Sequence, residues 1–349
     1  MNGNGPMLRV EAVARGYRLG RHVVRAVDGV TLEVMRGETL GLVGESGCGK
    51  STLARLMCCL EAPTEGRVLL EGLDLTAFRP REMRPLRQRL QMIFQDPFAS
   101  LNPHQTVASI VGLPLRIRGG LTKTALRDRV ADLLGTVGLS PAQAHRFPHQ
   151  LSGGQRQRVG IARALACDPQ VIVADEPLAS LDVSIQAQIL QVFQELQGRL
   201  GMTAVFISHD ISVVSHISQR IAVMYLGKIV ELGPAQEVIG APIHPYSQSL
   251  LGAVLRLGRS LGDTTPRLSG APPRPAAGPS ACRFHPRCDL DQAGECGAVQ
   301  PELREIRPGH FAACHLAESE SPSAPSLETP SPSRGQSGPR RSCGEEIGT

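Results

Sequence analysis

The sequence predicts an α/β fold around a largely parallel sheet, and three observations carry the prediction. Thr39-Leu40-Gly41-Leu42-Val43, Val171-Ile172-Val173-Ala174 and Ala204-Val205-Phe206-Ile207 are short apolar runs closed by turn residues, the pattern of strands buried on both faces. Between them Val130, Leu133, Leu134 and Val137 recur at i, i+3, i+4 and i+7, which places them on one apolar helix face. The first apolar run also stops at a glycine-rich segment that opens another helical stretch. Strands alternating with helices form parallel sheets, because the crossover helix returns each strand in the same direction.

Further along, Ile221 to Tyr225 and Lys228 to Leu232 are separated only by Leu226-Gly227 and read as a hairpin. Composition divides the chain into a main unit over 1–240, a Pro- and Arg-rich appendage with four spaced cysteines over 241–316, and a tail over 317–349. The tail is Ser, Pro, Glu and Gly with almost no apolar residues. Such a segment cannot offset the entropy of ordering and is expected to be disordered.

At 349 residues the chain allows two domains, or one large domain with an appendage. Its 41% apolar and 20% charged shares are ordinary for a globular protein. No stretch approaches a transmembrane helix, and Met1 to Tyr17 lacks a signal-peptide core, so the expected location is the cytosol unless a partner holds the chain at a membrane. The net charge of +5, 37 basic minus 32 acidic residues, is spread without a dense block, and aromatics are 3% with no Trp. Nothing there asks for a nucleic-acid partner. Nine cysteines without a secretory signal read as reduced thiols or metal ligands. Of these, Cys48, Cys58, Cys59 and Cys167 read as packing residues.

Gly44-Glu45-Ser46-Gly47-Cys48-Gly49-Lys50-Ser51-Thr52 follows a predicted strand and opens a predicted helix, the context in which G-x-x-x-x-G-K-[ST] is a phosphate cradle. The glycines let backbone N–H groups converge on phosphate oxygens, the helix points its positive end at them, Lys50 adds a point charge, and Ser51 can ligate Mg²⁺. Asp175 and Glu176 end the apolar strand from Val171, presenting two carboxylates at one strand terminus. The first suits a metal and the second a general base toward water. An exposed Asp-Glu turn is the bland alternative, and the apolar strand before it argues against exposure. Leu151-Ser152-Gly153-Gly154-Gln155 precedes a helical stretch from Arg156 to Ala166. Taken alone it is either an N-capped helix start or a second anion site.

The order of these motifs resembles that of ABC-type ATPases: the phosphate loop at 44–52, Gln95, 151–155, Asp175-Glu176, Ala179-Ser180-Leu181-Asp182, then His209. The resemblance implies a parallel-rich core sheet with antiparallel strands and a helical subdomain inserted over about 96–165. It implies ATP and Mg²⁺ as ligands, with residues 44–52 around the phosphates and Asp175, Ser51 and Gln95 at the metal. Glu176 would be the base, with Lys50, Gln95 and His209 completing the catalytic set. Tyr17 would stack on adenine. Ser152, Gly153, Gly154, Gln155 and Asp182 would serve the nucleotide of a second ATPase subunit, identical or related, bound head to tail. A small-molecule kinase would have no use for the 151–155 segment.

Longer matches resemble the oligopeptide/dipeptide permease branch: Gln91 to Pro103, Asp182 to Gln188, and His244-Pro245-Tyr246. That branch implies a peripheral subunit on the cytoplasmic face of the cell membrane, under two transmembrane permease subunits, importing a solute delivered by an extracytoplasmic binding protein. Nickel importers share the branch. Soluble ABC-type ATPases, such as the companion of a phosphonate-degrading complex, form a competing class. Cys282, Cys288, Cys296 and Cys314 resemble the cysteines of the branch's C-terminal extension. Their spacings of 5, 7 and 17 intervening residues depart from paired CxxC zinc ribbons and favour [4Fe–4S] over Zn²⁺, with unliganded thiols as the alternative and His285 and His315 as substitute ligands.

Overall fold

The computed structural model describes residues 5–20, 22–179, 181–255, 281–290 and 294–317. In chain order, β1 (Pro6–Leu19) and β2 (His22–Met35) pair, β3 (Thr39–Val43) leads into α1 (Lys50–Met57), and β4 (Glu65–Leu70) and β5 (Leu73–Asp74) follow. Then come α2 (Met83–Arg89), β6 (Leu90–Ile93), α3 (Pro97–Ser100), α4 (Val107–Arg118), α5 (Lys123–Thr136) and α6 (Gly153–Leu165). The core resumes with β7 (Val171–Asp175), α7 (Val183–Leu200), β8 (Thr203–Ser208), α8 (Ile211–Ser215), β9 (Arg220–Tyr225) and β10 (Lys228–Pro234). The chain continues through α9 (Ala235–Gly240), α10 (Pro245–Leu255), α11 (Glu295–Ala298), β11 (Arg304–Arg307) and β12 (His310–Ala312).

Among the described residues the strands form an antiparallel sheet, β2-β1-β4-β5, and an eight-stranded sheet, β11-β12-β10-β9-β3-β8-β7-β6. The β9-β3-β8-β7-β6 stretch is parallel. Each apolar run named above is one of its central strands, and their side chains divide by the two-residue period of a strand. Leu40, Leu42, Val171, Val173, Val205 and Ile207 face α1 and the antiparallel sheet, whereas Ile172, Ala174 and Phe206 face α6 and α7. Both faces are therefore core, which is why the runs are continuously apolar rather than alternating.

Residues 97–165 hold α3 to α6. Thr106 and Thr122 start α4 and α5 by accepting from the N–H groups of Ser109 and Ala125. The predicted face of α5 is buried: Val130, Leu133, Leu134 and Val137 pack with Ile110, Val111 and Leu115 of α4. The 221–232 hairpin forms as read, turning at Leu226 (φ 42°) and Gly227 (φ 86°), the left-handed pair of a tight hairpin turn.

Past residue 240 the sheet continues. β12 pairs with β10, and β11 pairs with β12, so the appendage supplies two strands that cover the open edge of β10. Glu231 on β10, fully buried, fastens this arrangement. It accepts from the N–H groups of Ile243 and His244 at 2.9 Å each, and meets His310 Nε2 at 2.7 Å. Cassette and extension thus share one sheet, a continuity that the change of composition at 240 does not announce. The expected disordered tail over 317–349, apart from Ala317, lies outside the described residues, as does Ser180.

Candidate functional site

The phosphate loop joins β3 to α1, and its glycines are required by close backbone approach. Gly49 caps α1 at φ 112°, where a Cβ would lie 2.1 Å from the Ala26 carbonyl oxygen; a Cβ on Gly44 would lie 2.2 Å from that of Met224. The loop is pinned between β2 and β9 before it meets any ligand. Lys50, the first helical residue, is buried, and its ammonium donates to the carbonyls of Gly44 at 2.7 Å and Glu45 at 3.0 Å.

The carboxylates at the end of β7 face this loop. Ser51 Oγ donates to Asp175 Oδ1 at 3.0 Å. Burial pushes the Asp175 carboxyl above the ordinary range, with the Ser51 hydrogen bond acting against it. Glu176 is held at φ 43° while its N–H donates to the Ile207 carbonyl at 3.0 Å, so strand β8 fixes a conformation that a glutamate rarely adopts. That twist brings its carboxylate into contact with three other residues of the expected catalytic set. Gln95 Nε2 donates to Oε2 at 2.9 Å, His209 Nδ1 lies 3.5 Å from the same oxygen, and Lys50 Nζ is 3.7 Å from Oε1.

An oxygen set of Ser51, Asp175 and Gln95 beside a phosphate cradle fits Mg²⁺, which takes one or two carboxylates plus substrate phosphates and keeps several waters. Asp175 is 3% exposed and already paired with the Ser51 hydroxyl, so the two oxygens that would ligate stand together.

Residues 151–155 form the N-terminus of α6. Ser152 Oγ accepts from the Gln155 N–H at 3.3 Å, and Gln155 Oε1 accepts from the Ser152 N–H at 3.1 Å, a reciprocal capping box. The capped-helix-start reading of the segment is therefore met, with Ser152 exposed and Gly154 buried. A Cβ on Gly154 would meet Ile185 Cγ2 at 2.4 Å, so this glycine lets α6 seat on α7. Asp182 is the N-cap residue of α7 and makes no side-chain cap bond, and the adjacent Val183 is 81% exposed. Among the described residues no hydrogen bond or ion pair joins 151–155 to 44–52.

Tyr17 lies on β1. Its hydroxyl donates to Glu61 Oε2 at 2.5 Å, and the Arg15 guanidinium sits 5.2 Å from the ring centroid. Glu45 has two further partners. Arg287 forks onto its carboxylate at 2.8 and 2.9 Å, and the Tyr246 hydroxyl accepts its N–H at 2.8 Å. Sequence reasoning missed both partners. Tyr246 lies in His244-Pro245-Tyr246 and Arg287 between Cys282 and Cys288, and nothing local in either segment signals a contact with Glu45.

The four-thiolate expectation is not met. Among the described residues no group of three or more His, Cys, Asp or Glu side chains is placed to hold a metal ion. Cys282 and Cys288 pack at the margin of the main core with Phe284, whereas Cys314 is carried by the sheet-edge hairpin into a separate small cluster with Ile306, Ala312 and Ala317. These residues do not fit an iron–sulfur or zinc centre in this arrangement. Cys48 and Cys58 are buried and behave as packing residues, their thiols pushed up by desolvation.

A parallel sheet that carries a phosphate loop, two carboxylates at a strand end and a helical insert whose last helix opens on Leu-Ser-Gly-Gly-Gln defines an ABC-type ATPase. Residues 27–179 match the ABC transporter family and residues 230–296 match the oligopeptide/dipeptide transporter C-terminal region. The oligopeptide transport ATP-binding protein AppF of Bacillus subtilis is 49% identical over 296 residues, which is 84% of this chain and 90% of AppF. A probable peptide ABC transporter ATP-binding protein of Sinorhizobium fredii is 46% identical, over 89% of this chain and 90% of that protein. In three dimensions the chain resembles the ATP-binding cassette MJ0796 in a dimeric post-hydrolysis state bound to ADP and Pi, with a TM-score of 0.62 at 33% identity, covering 66% of this chain and 99% of that one. The chain belongs to the family of ATP-binding subunits of oligopeptide/dipeptide ABC transporters.

Proposed function

We propose that this chain hydrolyses ATP to drive import of oligopeptides or dipeptides through a membrane permease. One observation carries the catalytic part: Gln95, Lys50 and His209, distant in sequence, all meet the carboxylate of Glu176. In this reading Lys50 and the loop N–H groups hold the β- and γ-phosphates, and Ser51, Asp175 and Gln95 hold Mg²⁺, which neutralises phosphate charge. Glu176 accepts a proton from the attacking water. Gln95 orients that water, and His209, 62% exposed on its side chain, stands free to reach the γ-phosphate. Tyr17 offers its ring to adenine.

Ser152 to Gln155 and Asp182 then belong to the nucleotide of a second ATPase subunit. The exposure of Ser152 and Asp182, and the lack of any hydrogen bond or ion pair from 151–155 to this chain's own loop among the described residues, support a site completed across a head-to-tail dimer. Hydrolysis removes the phosphate that both halves share, and the dimer opens. No helix of the described residues is long and apolar enough to cross a membrane. In this reading the pathway for solute belongs to two transmembrane permease subunits, which the chain would contact from the cytoplasmic face. An extracytoplasmic binding protein would deliver the solute.

The relatives' peptide-transport names favour peptide over nickel. The test is reconstitution in lipid vesicles with the permease and binding-protein subunits that co-purify with the chain. ATP hydrolysis stimulated by short peptides supports the reading. Stimulation by nickel salts and not by peptides overturns it.

A further inference from the structure

The extension reaches back to the phosphate loop through the segment between Cys282 and Cys288, by two guanidinium–carboxylate pairs and an aromatic contact. Arg283 donates to the Leu226 carbonyl, in the turn between β9 and β10, and to Asp28 on β2. Phe284, 3% exposed, enters an aromatic nest with Tyr225, Tyr246 and His244, at ring-centroid distances of 5.3, 5.6 and 5.7 Å. A tight turn, with the Arg287 N–H on the Phe284 carbonyl at 2.9 Å, then aims Arg287 at Glu45. The guanidinium is 7% exposed, forks onto both carboxylate oxygens and also donates to the Tyr225 hydroxyl at 3.3 Å.

We propose that Arg287 is a positioning residue for ATP binding: its fork neutralises Glu45, the one carboxylate inside the phosphate loop, and holds that loop in its receptive shape. The inference rests on the reading of 44–52 as an ATP site. Glu45 lies in the anion cradle, since its own carbonyl receives the Lys50 ammonium at 3.0 Å. An unneutralised carboxylate there would repel a polyphosphate and would compete for Lys50. Arg287 removes both effects with a planar, bidentate, charge-assisted pair that a lysine cannot reproduce. Tyr246, whose hydroxyl accepts the Glu45 N–H, fixes the backbone of the same residue from the same side. The extension therefore completes the nucleotide site of its own chain, apart from anything it does at the sheet edge.

The experiment measures MgATP affinity and steady-state hydrolysis for the full-length chain, Arg287→Gln, Arg287→Lys and the double variant Glu45→Gln/Arg287→Gln. Arg287→Gln is expected to raise the dissociation constant for MgATP about tenfold, equivalent to about 1.4 kcal/mol, with kcat at saturating ATP held within about twofold. Arg287→Lys should fall between. Removing the carboxylate in the double variant should restore affinity to within about threefold of the parent, a recovery that lost packing would not show. Unchanged affinity in Arg287→Gln, or a double variant no tighter than the single one, overturns the proposal. If Arg287→Gln does not fold, the comparison of Arg287→Lys with its Glu45→Gln counterpart decides by the same criterion. A parent chain without MgATP affinity, or one whose affinity survives Lys50→Ala, overturns the ATP-site reading itself, which an unaltered Arg287→Gln would not do.

Discussion

Gln95 and Glu176, 81 residues apart, are joined by a 2.9 Å hydrogen bond from the Gln95 amide to Glu176 Oε2. The bond exists because β6 and β7 are parallel neighbours, paired from Leu90↔Val171 to Ile93↔Ala174, and both residues lie just past the ends of those strands. Since Gln95 is also where the chain leaves the sheet for α3 to α6, a movement of the helical insert has a direct route to the proposed base.

Glu176→Gln should therefore separate binding from chemistry. The amide keeps the shape of the side chain and an oxygen for the Gln95 donor, but it cannot take a proton. We expect kcat to fall by at least about 100-fold while MgATP affinity stays near that of the parent, and ATP should then hold two chains together. Phosphate release and light scattering with and without ATP read the two effects. Turnover near the parent rate would remove Glu176 from the role of base.

Asp175→Asn tests the cost of burying a proposed metal ligand. The folded-state pKa of Asp175 is raised, so between the ordinary carboxylate range and the raised value the folded chain holds a proton that the unfolded chain has lost. Stability consequently falls as pH rises through that window, and at neutral pH the charged group is a net burden on the nucleotide-free chain. Asn keeps an acceptor for Ser51 and removes the charge. The nucleotide-free variant should melt roughly 2 °C higher at neutral pH, an advantage that shrinks as acid protonates the parent's carboxyl, and it should lose Mg²⁺-dependent ATP binding. A lower melting temperature at neutral pH would refute this account.

His244 gives a pH effect of a different origin. It is buried, its Nδ1 accepts from the Tyr246 N–H at 3.0 Å, and desolvation lowers its pKa from 6.5 to about 4. The unfolded chain thus binds a proton that the folded chain refuses between those values, so stability is intact above about 6.5 and is lost as pH falls toward 4. The loss can reach roughly 3 kcal/mol. His244→Asn retains an acceptor near the Tyr246 N–H and should flatten that segment of the stability curve, as measured by urea denaturation at pH 7, 6 and 5. A curve as steep as the parent's would assign the acid sensitivity elsewhere.

How much of this was legible in the sequence follows from what each feature depends on. The central strands, the 221–232 hairpin and α5 were readable because burial periodicity and turn chemistry are local. The members of the catalytic set were readable because the motif order is a family resemblance, but their convergence on Glu176 was not, since it depends on strand pairing. The fork from Arg287 to Glu45 was not readable, since nothing local in either segment specifies a contact across 242 positions. The cysteine cluster misled for the same reason in reverse. The family resemblance groups Cys314 with the other three, but pairing of β12 with β10 carries it into another small core.

The sharpest test concerns Ser152, because the capping box makes it look purely structural. Ser152→Arg removes the cap, at a cost of about 1 kcal/mol, and places a bulky cation where the partner's γ-phosphate would bind, yet it leaves residues 44–52 of its own chain untouched. It should bind MgATP normally and fail to turn it over. Lys50→Ala should fail in the complementary way, with an intact Ser152 and no grip on its own nucleotide. In a one-to-one mixture, half of randomly formed dimers pair one of each, and every such pair contains one site with both Lys50 and Ser152. Two inactive proteins should then regain about a quarter of parental activity on mixing, as expected of a symmetric pair whose sites are each built from both copies. A mixture as inactive as its components would exclude a shared site between two copies of this chain.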